Sequence, residues 1–482
     1  RSDRPGSQVR LFLMVAISFP MSHSPGAVAS EGAGRLYGCY AEPLGDGGRS
    51  SAVLHRSPGL SQWGTTEESG YRGSILIDNI LYSAFEDALV KHSSSGGAGT
   101  NIGSLNGTAK GFFARNNAAT PDKVFVDPDG NVATFTTVAV TNGYPDPDLP
   151  SPNSVTSIDG YFVFTIGDGR CFASELNSTA VNALSFGTAE AKPDGLVRAV
   201  TWGQRLLLMG SQTIEIWLDQ GLSPFPFQRS EVIPRGLAGP YCVAGFEDSF
   251  SKGVHWIGDD NAVYRLDGYT PSKISPPDLD GLIEAVEDKS TIEMCSYISR
   301  GHAFIQISCP TWTWVHNINN QTWHERPSYL QARSRIDGTI YAFSKWLSGD
   351  TMGGDLNEIT ITRHDEVDDP LPIEVWSRPL QNFPSFIRVA SIWLDFAVGV
   401  GEATGADPTA TNPTVEVSWS DDGGSTFSIP RMVKVGRQAV GKSRVRVNQC
   451  GISGSQGRII KVRMSDPVHF GLMGGEMMAE VR

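Results

Sequence analysis

Leu206-Leu207-Leu208-Met209-Gly210-Ser211-Gln212-Thr213-Ile214-Glu215-Ile216-Trp217 reads as two apolar strands with a turn between them. Gly210-Ser211-Gln212 interrupts an otherwise continuous hydrophobic run, and small polar residues at such a break let the chain double back. The arrangement recurs along residues 71–363. Ile75-Leu76-Ile77 turns at Asp78-Asn79 into Ile80-Leu81-Tyr82. Val124-Phe125-Val126 turns through Asp127 to Asn131 into Val132 to Phe135. Tyr161 to Ile166 passes Gly167-Asp168-Gly169 to Cys171-Phe172. After the Leu206 unit, Val254 to Ile257 turns through Gly258 to Asn261 into Val263 to Leu266. Phe304 to Ile307 turns near Pro310 into Trp312 to Val315. A weaker seventh copy places a loop around Gly349 between Ile340 to Phe343 and Ile359 to Ile361.

The turn centres fall near 78, 129, 168, 211, 259, 310 and 349. Their mean spacing of about 45 residues is the blade period of a β-propeller. One four-stranded blade cannot bury both of its faces, whereas a ring of blades can. The rival is a pair of β-sandwiches with accidental spacing. One helical stretch, Leu282 to Val286, interrupts the strands. Asp365 to Pro372, acidic and twice prolyl, reads as a linker. Beyond it Phe386 to Val398, Val415 to Trp419, Val445 to Val447, Ile459 to Val462 and Met477 to Val481 alternate as strands. Gly401 to Pro413 reads as a mobile loop. The expectation is an all-β chain: an N-terminal segment, partly extended, over 1–70; a propeller of six to seven blades over 71–363; and a C-terminal β-sandwich-like domain over 364–482.

Composition agrees. Charged residues are 19%, below the usual quarter, while the chain holds Gly 53 and Pro 29, as many short strands and tight turns require. The charge is 39 − 52 = −13, which argues against an electrostatic grip on nucleic acid. No apolar run reaches the roughly 18 residues of a membrane helix. The six cysteines Cys39, Cys171, Cys242, Cys295, Cys309 and Cys450 lie far apart without a CxxC pair, so they read as free, buried thiols. Arg10, the apolar stretch Leu11 to Phe19 and Ala27-Val28-Ala29 imitate a secretory signal. Pro20 and the spacer from Met21 to Pro25 favour a first strand instead.

Several motifs invite a chemical reading. Gly436-Arg437-Gln438-Ala439-Val440-Gly441-Lys442-Ser443 satisfies the P-loop expression. A phosphate cradle needs a helix to start at its lysine, but Arg444-Val445-Arg446-Val447 alternates as a strand. Ile392 to Asp395, the candidate acidic partner strand, precedes the loop rather than following it. A basic hairpin turn is expected. Ser420, Asp422, Gly424, Thr426 and Phe427 resemble an Asp-box, a turn whose side chains satisfy local backbone groups. Gly96-Gly97-Ala98-Gly99 reads as a flexible loop tip. His316 and His324, beside a Trp-rich hairpin, suit aromatic packing. No histidine spacing suggests a metal, and no catalytic, cofactor or metal residues are assigned.

Pro193-Asp194-Gly195 leads through Trp202-Gly203 to the Gly210 to Trp217 segment, and Arg235-Gly236-Leu237-Ala238-Gly239-Pro240-Tyr241-Cys242 follows. This succession resembles the packaged-DNA stabilisation proteins, also called tail hub or nozzle proteins, of short-tailed bacteriophages. Tyr37-Gly38-Cys39-Tyr40-Ala41-Glu42-Pro43 and Arg56-Ser57-Pro58-Gly59-Leu60 look like that family's opening, and the likeness runs from about residue 27 to the end. The first 26 residues have no counterpart. The resemblance implies a non-enzymatic virion protein of the tail, assembled in the host bacterial cytoplasm. It implies a homo-oligomer, a hexameric ring below the portal and head-to-tail adaptor. Such a ring retains packaged DNA, gates its ejection and carries tail fibres, spikes or a needle, while DNA passes without sequence-specific binding. Acidic walls suit a conduit that must not hold phosphates. The alternative is a secreted β-propeller glycoside hydrolase, sialidase-like with its Asp-box. It requires convergent carboxylates and arginines on the propeller axis.

Overall fold

Antiparallel meanders follow one another from residue 71 onward. The computed structural model describes residues 13–28, 30–45, 50–189, 191–381, 385–441, 443–454 and 456–481. Leu11, Phe12 and Ala29 of the signal-like segment lie outside these. The chain divides into two compact units, one of residues 60–313 with 332–360 and one of residues 1–59 with 314–331 and 361–482.

In the first unit, four-stranded sheets open with Tyr71–Ile77, Phe112–Arg115, Ser154–Ile158, Leu196–Trp202 and Val243–Ala244. A sixth meander opens with Glu293–Ser299 and His302–Cys309, and the unit's boundary falls in the strand after it. The seventh is Ile336–Ala342, Lys345–Asp350 and Leu356–Thr360. Its fourth strand is Gly59–Thr65, which precedes the first meander in the chain. Opening strands adjoin their successors from the first blade to the fourth and from the fifth to the seventh, Arg198 of the fourth donates to the Pro240 carbonyl ahead of the fifth, and Ile336–Ala342 adjoins Tyr71–Ile77, so the ring closes. This is a seven-bladed propeller. Apolar wedges fill the spaces between blades. Tyr82 and Leu89 of the first pack with Phe125 and Phe135 of the second. Val124 and Val126 meet Phe162 and Phe164 of the third. Tyr71, Phe85 and Val90 meet Ala342, Leu347 and Leu356 at the closure. Full burial of one such side chain is worth about 1.5–3 kcal/mol.

The sequence-read hairpins of the first five repeats occur where expected, with Ile77 opposite Ile80, Val126 opposite Val132 and Ile257 opposite Val263. The seventh repeat divides earlier than its sequence suggests, into Ile336–Ala342 and Lys345–Asp350. Its turn lies at Phe343 and Ser344, both at positive φ, and Gly349 sits within a strand rather than a loop. Glycine is needed there because the Tyr71 ring covers it: an added Cβ would meet Tyr71 Cγ at 2.2 Å. The helix starts earlier than its periodicity suggested, spanning Pro277–Glu284 with proline in its first turn and Leu279 and Ile283 buried. Lys289 Nζ donates to the carbonyls of Ile283 and Val286 beyond its end. Gly97–Ala98 is a short strand, parallel to Gly64 and Thr65, rather than a loop tip.

The second unit is a β-sandwich. One sheet runs Cys39–Pro43, Ala52–Arg56, Gly471–Val481, Ile387–Phe396, Val445–Asn448, with Leu13–Ile17 also paired to Gly471–Val481. The other runs Thr322–Glu325, Arg35–Tyr37, Ile373–Trp376, Ile459–Met464, Thr414–Ser420, Arg431–Lys434. Leu36, Leu54, Val375, Ile392, Val417, Val462 and Phe470 form the shared core. Asp365 to Pro372 is not a linker. It folds as a hairpin about Val367 and Asp368, both at positive φ. Its Glu366 meets Arg326 at 3.1 Å with both side chains 0% exposed. Within Gly401 to Pro413, a turn of helix spans Pro408–Thr411, capped by Asp407. All six cysteines are free and buried.

Gly349→Ala is expected to lower stability by about 1–3 kcal/mol through overpacking against Tyr71, read by urea denaturation; unchanged stability would contradict that contact. Glu366→Ala, which strands Arg326 as a buried charge, is expected to cost about 3–5 kcal/mol, while Glu366→Leu combined with Arg326→Met recovers much of that loss.

Candidate functional site

The opening strands surround a cavity of about 620 Å³ on the propeller axis. Its charged lining comes from the start of those strands. Arg72 is the second residue of Tyr71–Ile77, Arg198 the third of Leu196–Trp202 and Glu293 the first of Glu293–Ser299. Asp337, the second of Ile336–Ala342, stands behind the lining, between its Ile336 and Gly338. Lys110 stands just ahead of Phe112–Arg115. Charged groups near the start of opening strands on different blades converge because the blades radiate from one axis.

Most of these groups are spent on one another. Lys110 Nζ pairs with Glu293 Oε2 at 2.6 Å and with Asp337. Arg333 Nη2 stands 3.4 Å from Glu293 and 3.6 Å from Asp337. These contacts join the second blade to the sixth and seventh. Tyr241 Oη, from the fifth, donates to the Lys110 carbonyl at 2.8 Å. Arg198 of the fourth lies over Phe112 of the second at 4.2 Å and donates from Nη1 to Pro240 O. Side chains therefore cross the axis between non-adjacent blades. Arg72, almost fully buried, donates to the carbonyls of Glu86, Asn106 and Ala109 and meets Asp127 Oδ2 at 3.1 Å. Asp127 also accepts from the amides of Asp129 and Asn131, so the second repeat's turn and the axial arginine share one anchor. Glu247 accepts from Ser296 Oγ and the Gly245 amide.

Electrostatics follow from burial. Burial and the Glu293 charge push the Asp337 carboxyl up to about 7. Glu293 goes the other way: burial opposes its ionisation, but Lys110 and Arg333 outweigh that and hold it down at about 2. The two carboxyls thus share one proton. Burial also raises Glu247 and lowers Arg198 to about 10. A retaining glycosidase needs two carboxyl groups roughly 5–5.5 Å apart flanking a sugar. Here Glu293 and Asp337 are both tied to Lys110 and Arg333, an arrangement that bridges blades. Among the described residues no group of three or more His, Cys, Asp or Glu is placed to hold a metal.

The motifs in the second unit lie in turns. Thr426 Oγ1 and the Thr426 amide donate to Asp422, which Ser420 Oγ also reaches at 2.7 Å, so the Asp422 carboxyl is held well below the ordinary range. Residues 436–441 form a turn with Gly436 and Ala439 at positive φ. The strand Val445–Asn448 follows, pairing Trp393 with Arg446. No helix starts there, and Lys442 lies outside the described residues. His316 stacks on Trp323 at 4.5 Å. Burial, reinforced by the Arg326 charge, lowers His324 to about 3. The axial cluster escaped the sequence reading because its members are far apart in the chain. A comparison of the opening strands, rather than of the hairpins after them, would have shown their recurrent charges.

The family model described as "Bacteriophage P22 Gp10, beta-propeller" matches residues 41–362, and "Bacteriophage P22 Gp10, beta-sandwich" matches residues 373–480. The chain belongs to the bacteriophage P22 Gp10 family. It is similar to the tail hub protein gp10 of Salmonella phage P22, 24% identical over 223 residues, which cover 44% of this chain and 47% of that protein. The chain thus spans about half the length of the curated relative it matches. Among solved structures, the WD40 β-propeller domain of Doa1 overlaps 62% of this chain and 96% of its own length at 10% identity and a TM-score of 0.41. U3-55K overlaps 63% of this chain and 99% of its own length at 10% identity and a TM-score of 0.39.

The Asp337 proton makes a signed prediction. Asp337 binds its proton more tightly folded, at about 7, than at its ordinary 3.8. It therefore favours the folded state below pH 3.8, and that favour is lost as pH rises through 7. Glu293, lowered from 4.5 to about 2, acts oppositely and only below 4.5. Asp337→Asn is expected to remove a wild-type stability decline of about 2 kcal/mol between about pH 5 and about pH 8. Parallel wild-type and variant profiles in denaturant titrations would contradict the shared proton.

Proposed function

We propose that this chain is a structural tail hub, or nozzle, of a short-tailed phage virion and not an enzyme. Copies of it form a ring, a hexamer, below the portal and adaptor. The ring retains packaged DNA, gates its ejection and carries fibres or spikes. The observation that carries this reading is the double family match, propeller then sandwich, over residues 41–362 and 373–480. The name of the P22 relative points the same way.

Two features of the chain support it. The axial carboxylates are neutralised by Lys110 and Arg333, which suits a rigid scaffold better than a catalytic pocket. A charge of −13 suits the wall of a passage that must release DNA quickly. The conduit on this reading lies between copies, because side chains cross each propeller's own axis. The glycoside hydrolase alternative draws on the same cavity but needs a carboxylate pair open to substrate.

The test is a nonsense mutation in the gene of the parent phage. Heads are expected to fill and then lose their DNA to added nuclease, infectivity to fall by orders of magnitude, and the chain to appear in multiple copies in wild-type particles. Particles that lack the chain, yet keep their DNA and infect normally, overturn the reading.

A further inference from the structure

The chain's charge is unevenly spread. Residues 431–446 hold Arg431, Lys434, Arg437, Lys442, Arg444 and Arg446 and no Asp or Glu. Without those six cations the remainder stands at 33 − 52 = −19. The stretch also occupies a particular place. Arg431–Lys434 is the outermost strand of one sandwich sheet and Val445–Asn448 the outermost strand of the other. The two strands adjoin, so the described basic residues line one side of the sandwich. Val445 and Val447 turn inward to the core, which leaves Arg444 and Arg446 exposed. Arg446 lies over the Trp393 ring at 4.2 Å and Arg444 at 5.9 Å. Among the described residues, Arg431, Lys434, Arg437, Arg444 and Arg446 make no ion pair. The neighbouring Arg458 and Arg463, by contrast, each face a carboxylate.

Cations on outer strands guard against unwanted strand addition. That role alone does not account for the apolar groups among them: Ile429 is 85% exposed, Met432 62% and Val440 46%. Arginine, methionine and aromatic residues together are the composition of protein interfaces. Nucleic-acid phosphates would satisfy the cations but leave the apolar groups in water. An acidic protein surface satisfies the cations and can also cover the apolar groups, and the rest of this chain, at −19, carries the complementary sign.

We infer that the strip 431–446 docks on the acidic surface of a second copy of the chain. The contact joins unlike surfaces, so head-to-tail repetition with a closing rotation makes a ring. The inference rests on the ring proposed above and names the surface that closes it.

The test uses the full chain, with mass photometry at low and high salt. The wild type is expected to be oligomeric at low salt and to dissociate as salt screens the contact. Arg431→Glu with Arg444→Glu and Arg446→Glu is expected to be monomeric at low salt, with its circular dichroism and melting unchanged, since all three sites are exposed. The corresponding Arg→Lys variant, which keeps the charge, is expected to retain most of the oligomer. The inference is overturned if the wild type is monomeric at low salt, or if the Glu variant keeps the wild-type mass. It is equally overturned if the Glu variant loses only affinity for a labelled DNA duplex. Absence from purified virions is a separate result, which defeats the tail reading itself. A chain present in virions whose ring tolerates the Glu variant defeats only this inference.

Discussion

A row of sheets has two open ends, and each end is an exposed strand edge and an exposed apolar face. This propeller removes both with one pairing, in which Gly59–Thr65 joins the strand Leu356–Thr360 as the fourth strand of the last sheet. The wedge of Tyr71, Phe85, Leu347 and Leu356 then packs first blade against last. Everything on the axis depends on that closure. Charged residues at the start of the opening strands can meet only if the blades converge, and they converge only in a complete ring.

Closure also gives the axis its character. Lys110, Tyr241 and Arg198 reach past their neighbours to other blades, so the centre is a cross-braced region. Buried ion pairs are weak evidence for stability in themselves, because desolvation offsets most of their attraction. Their geometry is more informative: one lysine serving carboxylates from two blades fixes the relative position of three sheets. In the sandwich unit, Arg56 plays a comparable part with neutral acceptors, donating to the carbonyls of His364, Leu371 and Asp466.

The hairpins were legible in the sequence because each is a local event: an apolar run, a turn and a second run within about fifteen residues. The Asp-box was legible for the same reason, since Ser420, Asp422 and Thr426 satisfy one another within a single turn. Gly349 misled because glycine beside serine and aspartate imitates a turn, and its actual partner, Tyr71, is remote in the chain. Asp365 to Pro372 misled because acidic residues and prolines usually mark solvent, whereas Glu366 is buried against Arg326. The axial cluster was illegible because Lys110, Glu293 and Asp337 become neighbours only when seven sheets form a circle.

Burial pushes Cys39, Cys171, Cys242 and Cys295 well above the ordinary cysteine range, and no disulfide joins any of the six cysteines. The thiolate is the reactive form, so the sulfurs of Cys39, Cys171, Cys242 and Cys295 are poor targets for oxidants while the fold holds. The chain can meet reducing or oxidising surroundings without rearranging its covalent structure.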